Sequence, residues 1–178
     1  MTALPAFRPL PLESLARWLF TGLDSGGPML GLPRASLAVP GPRLASTLFG
    51  LPLAAPLGVA AGPHTQLAQN IVAAWLCGAR FIELKTVQVK DDIEVSRPCI
   101  DAADLTYNCE WSQELRLEQS FDEYLKAWVL IHALATKLGL GEPGTIFSTS
   151  VGYDLAGLKS PRVARFLERM RDAGDELD

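Results

Sequence analysis

Three apolar runs limit this chain more than any other feature: LGVAA at 57–61, ARFIELKTVQV at 79–89 and GTIFSTSVGY at 144–153. None alternates strictly between apolar and polar residues, so each suits a strand covered on both faces. The stretches between them repeat at helical spacing. TQLAQNIVAAWLC, from 65 to 77, places Leu67, Ile71, Ala74 and Trp75 on one face and stops at Gly78. SFDEYLKAWVLIHALATKLG is the strongest helical pattern, with Ser120 and Glu123 spaced as a capping box. Its apolar stripe is read as Leu125, Trp128, Val129, Leu134 and Leu138, with Ile131 less central. Ser160 and Pro161 open a last helix, RVARFLERMRDAG. The order is therefore strand, helix, strand, long loop, helix, strand, helix. That alternation predicts an α/β fold with a parallel sheet covered by helices.

Upstream, residues 1–43 form a Pro- and Gly-rich arm. It carries a short amphipathic helix marked by Leu12, Leu15, Ala16 and Leu19. DSGGPMLGLPRASLAVPGPR after it cannot be a regular element and is expected to be an ordered cover. The regular fold, 44–178, opens with a small hairpin, STLFG and LPLA, turning near Gly50. Two parallel architectures then compete, an open doubly wound sheet and a closed (β/α)8 TIM barrel. A barrel needs eight strands and about 250 residues, whereas the 178 residues here provide three βα units. An open sheet of three strands would leave both edges unpaired. The expected fold is the first three units of a partial barrel, its remainder lying on a continuation or on a partner chain.

Composition narrows the function classes. The chain is 48% hydrophobic and 20% charged, as globular domains are. A net charge of −4 without any Lys/Arg run argues against nucleic-acid binding. The longest apolar candidate, YLKAWVLIHALATKLGL, is interrupted by Lys126, His132 and Lys137, so no membrane span is expected. The start lacks a basic region followed by an apolar one, and a cytoplasmic location is expected. Cys77, Cys99 and Cys109 form no C-x-x-C, and with two histidines they make no metal or iron–sulfur ligand set. They are read as free, buried thiols.

Parallel α/β proteins place their sites at the carboxyl ends of the strands. Ala60, Ala61 and Gly62 end the first strand with almost no side chain, so a planar ligand could lie against their backbone; a plain tight turn would need the same residues. Lys85 and Thr86 end the second. A cation there would stabilise the negative charge of a reduced flavin, or it could pair with Glu83, which period two puts on the same side. Asn108 and Glu110, two apart in TYNCEWS, could read the amide edge of a small cyclic substrate, or serve as a loop cap and a surface carboxylate. His64 could meet a ligand or be structural, and His132 is read as a partly buried helix residue. There is no Ser-His-Asp set, P-loop or G-x-G-x-x-G.

Taken together, PLGVAAGPHTQLAQNIVAAWLCGARFIELKTVQ resembles the opening of the dihydroorotate dehydrogenase superfamily. The closer similarity is to the N-terminal flavin-type domain of the large selenate-reductase-subunit family. It is carried also by PCIDA, EWS, DEYLKAW and SVGY, and it covers roughly residues 44 to 172. The resemblance implies FMN as cofactor, with Ala60, Ala61 and Gly62 behind the isoalloxazine and Lys85 and Thr86 in contact with it. Asn108 and Glu110 match the N-x-E that faces the pyrimidine in related dihydropyrimidine dehydrogenases. The family's active-site Cys or Ser, second flavin lysine and FMN phosphate site come from later strands. The resemblance thus implies half a flavin site, with no catalytic residue in this chain. Two function readings are then open. In one, the chain is part of an oxidoreductase that passes electrons from partner domains with Fe–S clusters and NAD(P)H-fed FAD to a small substrate, a heterocycle among the candidates. In the other, it is a partial-barrel assembly module without its own cofactor.

Overall fold

A computed structural model of the chain describes residues 8–91, 115–152 and 154–177. Its centre is a parallel sheet of β3 (Gly58–Val59), β4 (Phe81–Glu83) and β5 (Ile146–Ser148), in the order β3-β4-β5. Gly58 pairs with Phe81 and Phe81 with Ile146, so the three strands start level. The expected parallel α/β sheet is present and, among the described residues, is open. The strands are shorter than the apolar runs, although contact between them continues past Glu83. Leu84 N–H still reaches Ser148 O at 2.9 Å, and one further parallel bridge joins Val87 to Val151.

Side-chain alternation gives the sheet two unlike faces. Ile82, fully buried, and Phe147 share a register row and turn toward the helices; Phe147 meets Trp128 edge-on at 5.1 Å. Glu83, in the row paired with Ser148, is exposed on the opposite face. The helices on the covered face are α2 (Ala68–Leu76), α3 (Leu117–Lys137) and α5 (Pro161–Arg171). The arm helix α1 (Leu12–Ser25) adds Leu15 and Leu19 to the same buried cluster as Ile71, Ile131 and Leu134. Lys126 ties the arm down further, donating to Leu10 O at 2.8 Å.

Two helix readings are corrected. α2 begins at Ala68, three residues late, because Pro63–Thr65 forms a single 3-10 turn and Leu67 is extended. α3 begins at Leu117, ahead of Ser120, and the Arg116 N–H donates to Gln119 Oε1 at 3.0 Å. Ser120 and Glu123 are therefore not a capping box. Both are buried on the face that meets α2, and Glu123 Oε2 accepts from Ala68 N–H at 2.7 Å. Glu123 thus caps the start of a different helix, where its negative charge also suits the helix dipole. The buried face of α3 is accordingly Phe121, Tyr124, Ala127, Ile131 and Leu134. Leu125, Trp128 and Val129 of the expected stripe are only half-buried at its margin.

The hairpin of β1 (Ser46–Leu48) and β2 (Leu51–Leu53) forms as expected. Phe49 and Gly50 at its tip both have positive φ, 53° and 76°, as a two-residue hairpin turn of this hand requires. It closes the amino-terminal end of the sheet, with Ala54 N–H donating to Gly144 O at 2.9 Å. A Cβ on Gly144 would lie 2.6 Å from Ala54 Cβ, so only glycine permits this approach. A short helix α4 (Leu155–Leu158), not expected from the sequence, is capped by Asp154, which accepts from Gly157 N–H at 2.6 Å. α5 is capped by Ser160 as expected, through Val163 N–H at 3.2 Å.

Arg162 of α5 joins three chain segments. It donates to Val89 O at 2.8 Å, to both Asp91 oxygens at 2.8 and 2.9 Å, and to Glu118, whose carboxyl it holds below the ordinary range. Cys77 is exposed at the end of α2, contrary to the expected buried thiol, because the helix terminates there on its outer side. No described helix is long and apolar enough to cross a membrane.

Candidate functional site

Parallel pairing in level register brings the ends of β3 and β4 side by side, and the site is built from the residues just beyond each end. Beyond β3, Ala60 and Ala61 are exposed and present little more than methyl groups. Ala61 N–H donates to Glu83 Oε2 at 3.2 Å, and Gly62 N–H to Thr65 Oγ1 at 3.1 Å. The two amides that a planar ligand could have used are already satisfied by the chain. This turn offers instead a shelf of small apolar groups. Gly62 has φ of −175°, an extended conformation open to any residue, and a Cβ there would meet the exposed His64 ring at 2.7 Å. That ring can move aside, so local sterics alone make a modest demand for glycine. His64 itself points to solvent rather than into a formed site.

Beyond β4, Lys85 is only 7% exposed, deeper than a cation at an open mouth would be. Its Nζ donates to Thr86 O at 3.3 Å, and its backbone is held from both sides. Lys85 N–H donates to Thr65 O at 3.3 Å, and Lys85 O accepts from the Tyr124 hydroxyl at 2.8 Å. Thr86 is half-buried, and an added Cβ on Gly152 would lie 3.3 Å from its methyl group. Glu83, the carboxylate that period two offered to Lys85, turns instead to the neighbouring strand end and accepts from Ala61.

Thr65 and Tyr124 were not legible as site residues. Thr65, 1% exposed, bonds Gly62 through its hydroxyl and Lys85 through its carbonyl, so it fixes the two strand ends relative to each other. The spacing Gly62 to Thr65 is a usual one for a hydroxyl closing a turn, which is the signal that was available. Tyr124 sits in an apolar helical pattern, and a buried phenol needs an acceptor. Burial pushes that phenol up, so it keeps its proton.

Asn108 and Glu110 lie outside the described residues, as do the PCIDA and EWS segments. His132 is half-buried against Trp128, with ring centroids 4.6 Å apart, as expected for a helix residue. No group of His, Cys, Asp or Glu suited to a metal is found among the described residues. A groove of about 520 Å³ runs beside β5, lined by Trp128, Phe147, His132 and Met170 among others. No described strand pairs with the edge of β5 away from β4.

Two curated relatives share this chain's sequence at 46% identity over 170 residues, which is 94% of the chain. Both carry the name "Putative oxidoreductase YgfK", one from Escherichia coli strain K12 and one from Escherichia coli O157:H7. The chain spans 16% of the length of each. Residues 30–177 match a family description that names a TIM-barrel domain, and the described residues form a mixed α/β fold around an open parallel sheet. By that match the chain belongs to the family described as "Oxidoreductase YgfK, N-terminal TIM-barrel domain".

Proposed function

We propose that this chain supplies the first βα units of an FMN-dependent oxidoreductase barrel. Ala60, Ala61 and Gly62 would form the shelf behind the isoalloxazine, and Lys85 with Thr86 would contact its edge. One observation carries the reading: a nearly buried lysine stands beside a strand end stripped of side-chain bulk, and Thr65 bonds both strand ends. The fit is partial, since the turn's amides are internally satisfied and the shelf offers apolar contact rather than donors. When bound, FMN would supply the two-electron chemistry, and Lys85 would place positive charge where the reduced ring is negative. Asn108 and Glu110 are proposed to meet the substrate. Electrons would arrive from domains with Fe–S clusters and NAD(P)H-fed FAD elsewhere in the protein or its complex.

The test is a visible absorption spectrum of the full-length protein together with an Ala61→Trp variant. The expected result is a flavin band in the parent, released as FMN on denaturation, and its loss when the indole fills the shelf. A parent that binds no FMN, or a variant that binds it equally well, would sink the reading.

The groove beside β5 gives the assembly reading its own support. Trp128, Phe147 and Met170 form an apolar wall next to a strand edge that no described strand covers, where a further parallel strand of the barrel would pack. We therefore expect the 178-residue chain by itself to self-associate, with the apparent mass in size exclusion rising with concentration. A sharp monomer peak at high concentration would count against a groove that needs covering.

A further inference from the structure

We infer that Tyr124 is a positioning residue for Lys85, acting from the middle of α3 on the end of β4; this rests on the FMN reading above. The geometry is specific. Tyr124 is 1% exposed, and its hydroxyl donates to Lys85 O at 2.8 Å, a well-formed bond across 39 positions of sequence. Burial raises its pKa, so the hydroxyl remains a donor over the whole working range. The bonded carbonyl is that of the residue proposed to meet the ring, one peptide before Thr86. Past Glu83 the strand has lost its regular pairing. Leu84 still bonds across to Ser148, but the Lys85 backbone is held by Thr65 O at 3.3 Å and by the phenol. Of these two contacts the phenol's is the shorter and comes from the buried face of a 21-residue helix. It sets how far the Lys85 backbone stands from the helix layer, and so where the ammonium sits at the sheet edge.

A tyrosine kept only for packing would tolerate loss of its hydroxyl at the flavin, whereas a positioning tyrosine would not. The experiment uses the full-length protein with FMN as the probe, comparing Tyr124→Phe with Lys85→Met and the parent. Two quantities are read, the FMN dissociation constant by fluorescence and the flavin midpoint potential. Tyr124→Phe is expected to weaken FMN about fivefold, the worth of one buried hydrogen bond. It should also shift the potential in the same direction as Lys85→Met, by less, with unchanged circular dichroism. Should the phenylalanine variant not fold, Tyr124→Met fills the space with a good helix former and no donor. If Lys85→Met changes both quantities and the Tyr124 variants change neither, Tyr124 is a packing residue, and its positioning role alone is overturned. If FMN binds and Lys85→Met is also without effect, that role falls together with the flavin reading of Lys85.

Discussion

With FMN bound as proposed, replacing Lys85 by Met in the full-length protein is expected to lower the flavin midpoint potential by about 30 to 60 mV. A hydrogen bond from a charged donor contributes about 1.5 to 3 kcal/mol, and for a two-electron couple 30 mV corresponds to about 1.4 kcal/mol. The effect belongs near the upper part of that range because Lys85 is 7% exposed and water screens it little. Methionine keeps most of the stem's volume, so packing around the strand end should survive. The measurement is a potentiometric titration followed by the flavin absorption band, with circular dichroism as the control for folding. An unchanged potential in a folded, flavin-loaded variant would mean that Lys85 points its charge elsewhere. The assembly reading would then be the better account of this domain.

The second large effect is expected at Glu123 and concerns stability alone. Its carboxylate is 1% exposed, accepts from Ala68 N–H at 2.7 Å and pairs with Lys126. Glu123→Ala would leave the first amide of α2 without an acceptor and a partly buried ammonium without its counter-charge. Breaking such a pair from one side costs about 3 to 5 kcal/mol. Because Lys126 retains Leu10 O and its side chain is 15% exposed, the lower end, about 3 kcal/mol, is the expected loss. Glu123→Gln keeps an acceptor for Ala68 and should lose markedly less. Amide hydrogen exchange would localise the change to the first turn of α2 and to its contact with α3. Equal protection in the alanine variant and the parent would show that α2 does not depend on this cap.

The class of fold was legible because it rests on local features. Apolar runs without alternation, the Gly78 stop, the Ser160–Pro161 start and the Gly50 turn are each written within a few residues, and the structure has a strand, an end or a turn at each. The capping box failed for a related reason. Ser120 and Glu123 have the right spacing, and a spacing rule cannot know which helix start the carboxylate will reach. Tertiary packing of α2 on α3 decided that, and it turned the buried face of α3 toward Tyr124 and Ala127 and away from Leu125 and Trp128.

The candidate site divides along the same line. Small residues ending one strand and a lysine ending the next could be read from the sequence, because strand direction alone sends both to the same edge of a parallel sheet. The depth of Lys85, the turn of Glu83 toward Ala61 and the engagement of the Ala61 amide could not. Most of these depend on contacts between residues far apart in the chain, as with Tyr124 and Lys85 or Ala61 and Glu83. Sequence by itself determined which elements form and which residues they carry to the sheet edge, since those follow from backbone preference and apolar spacing. Only the tertiary structure decided how those residues are held, because a hydrogen bond across 39 positions exists only once the helices have packed.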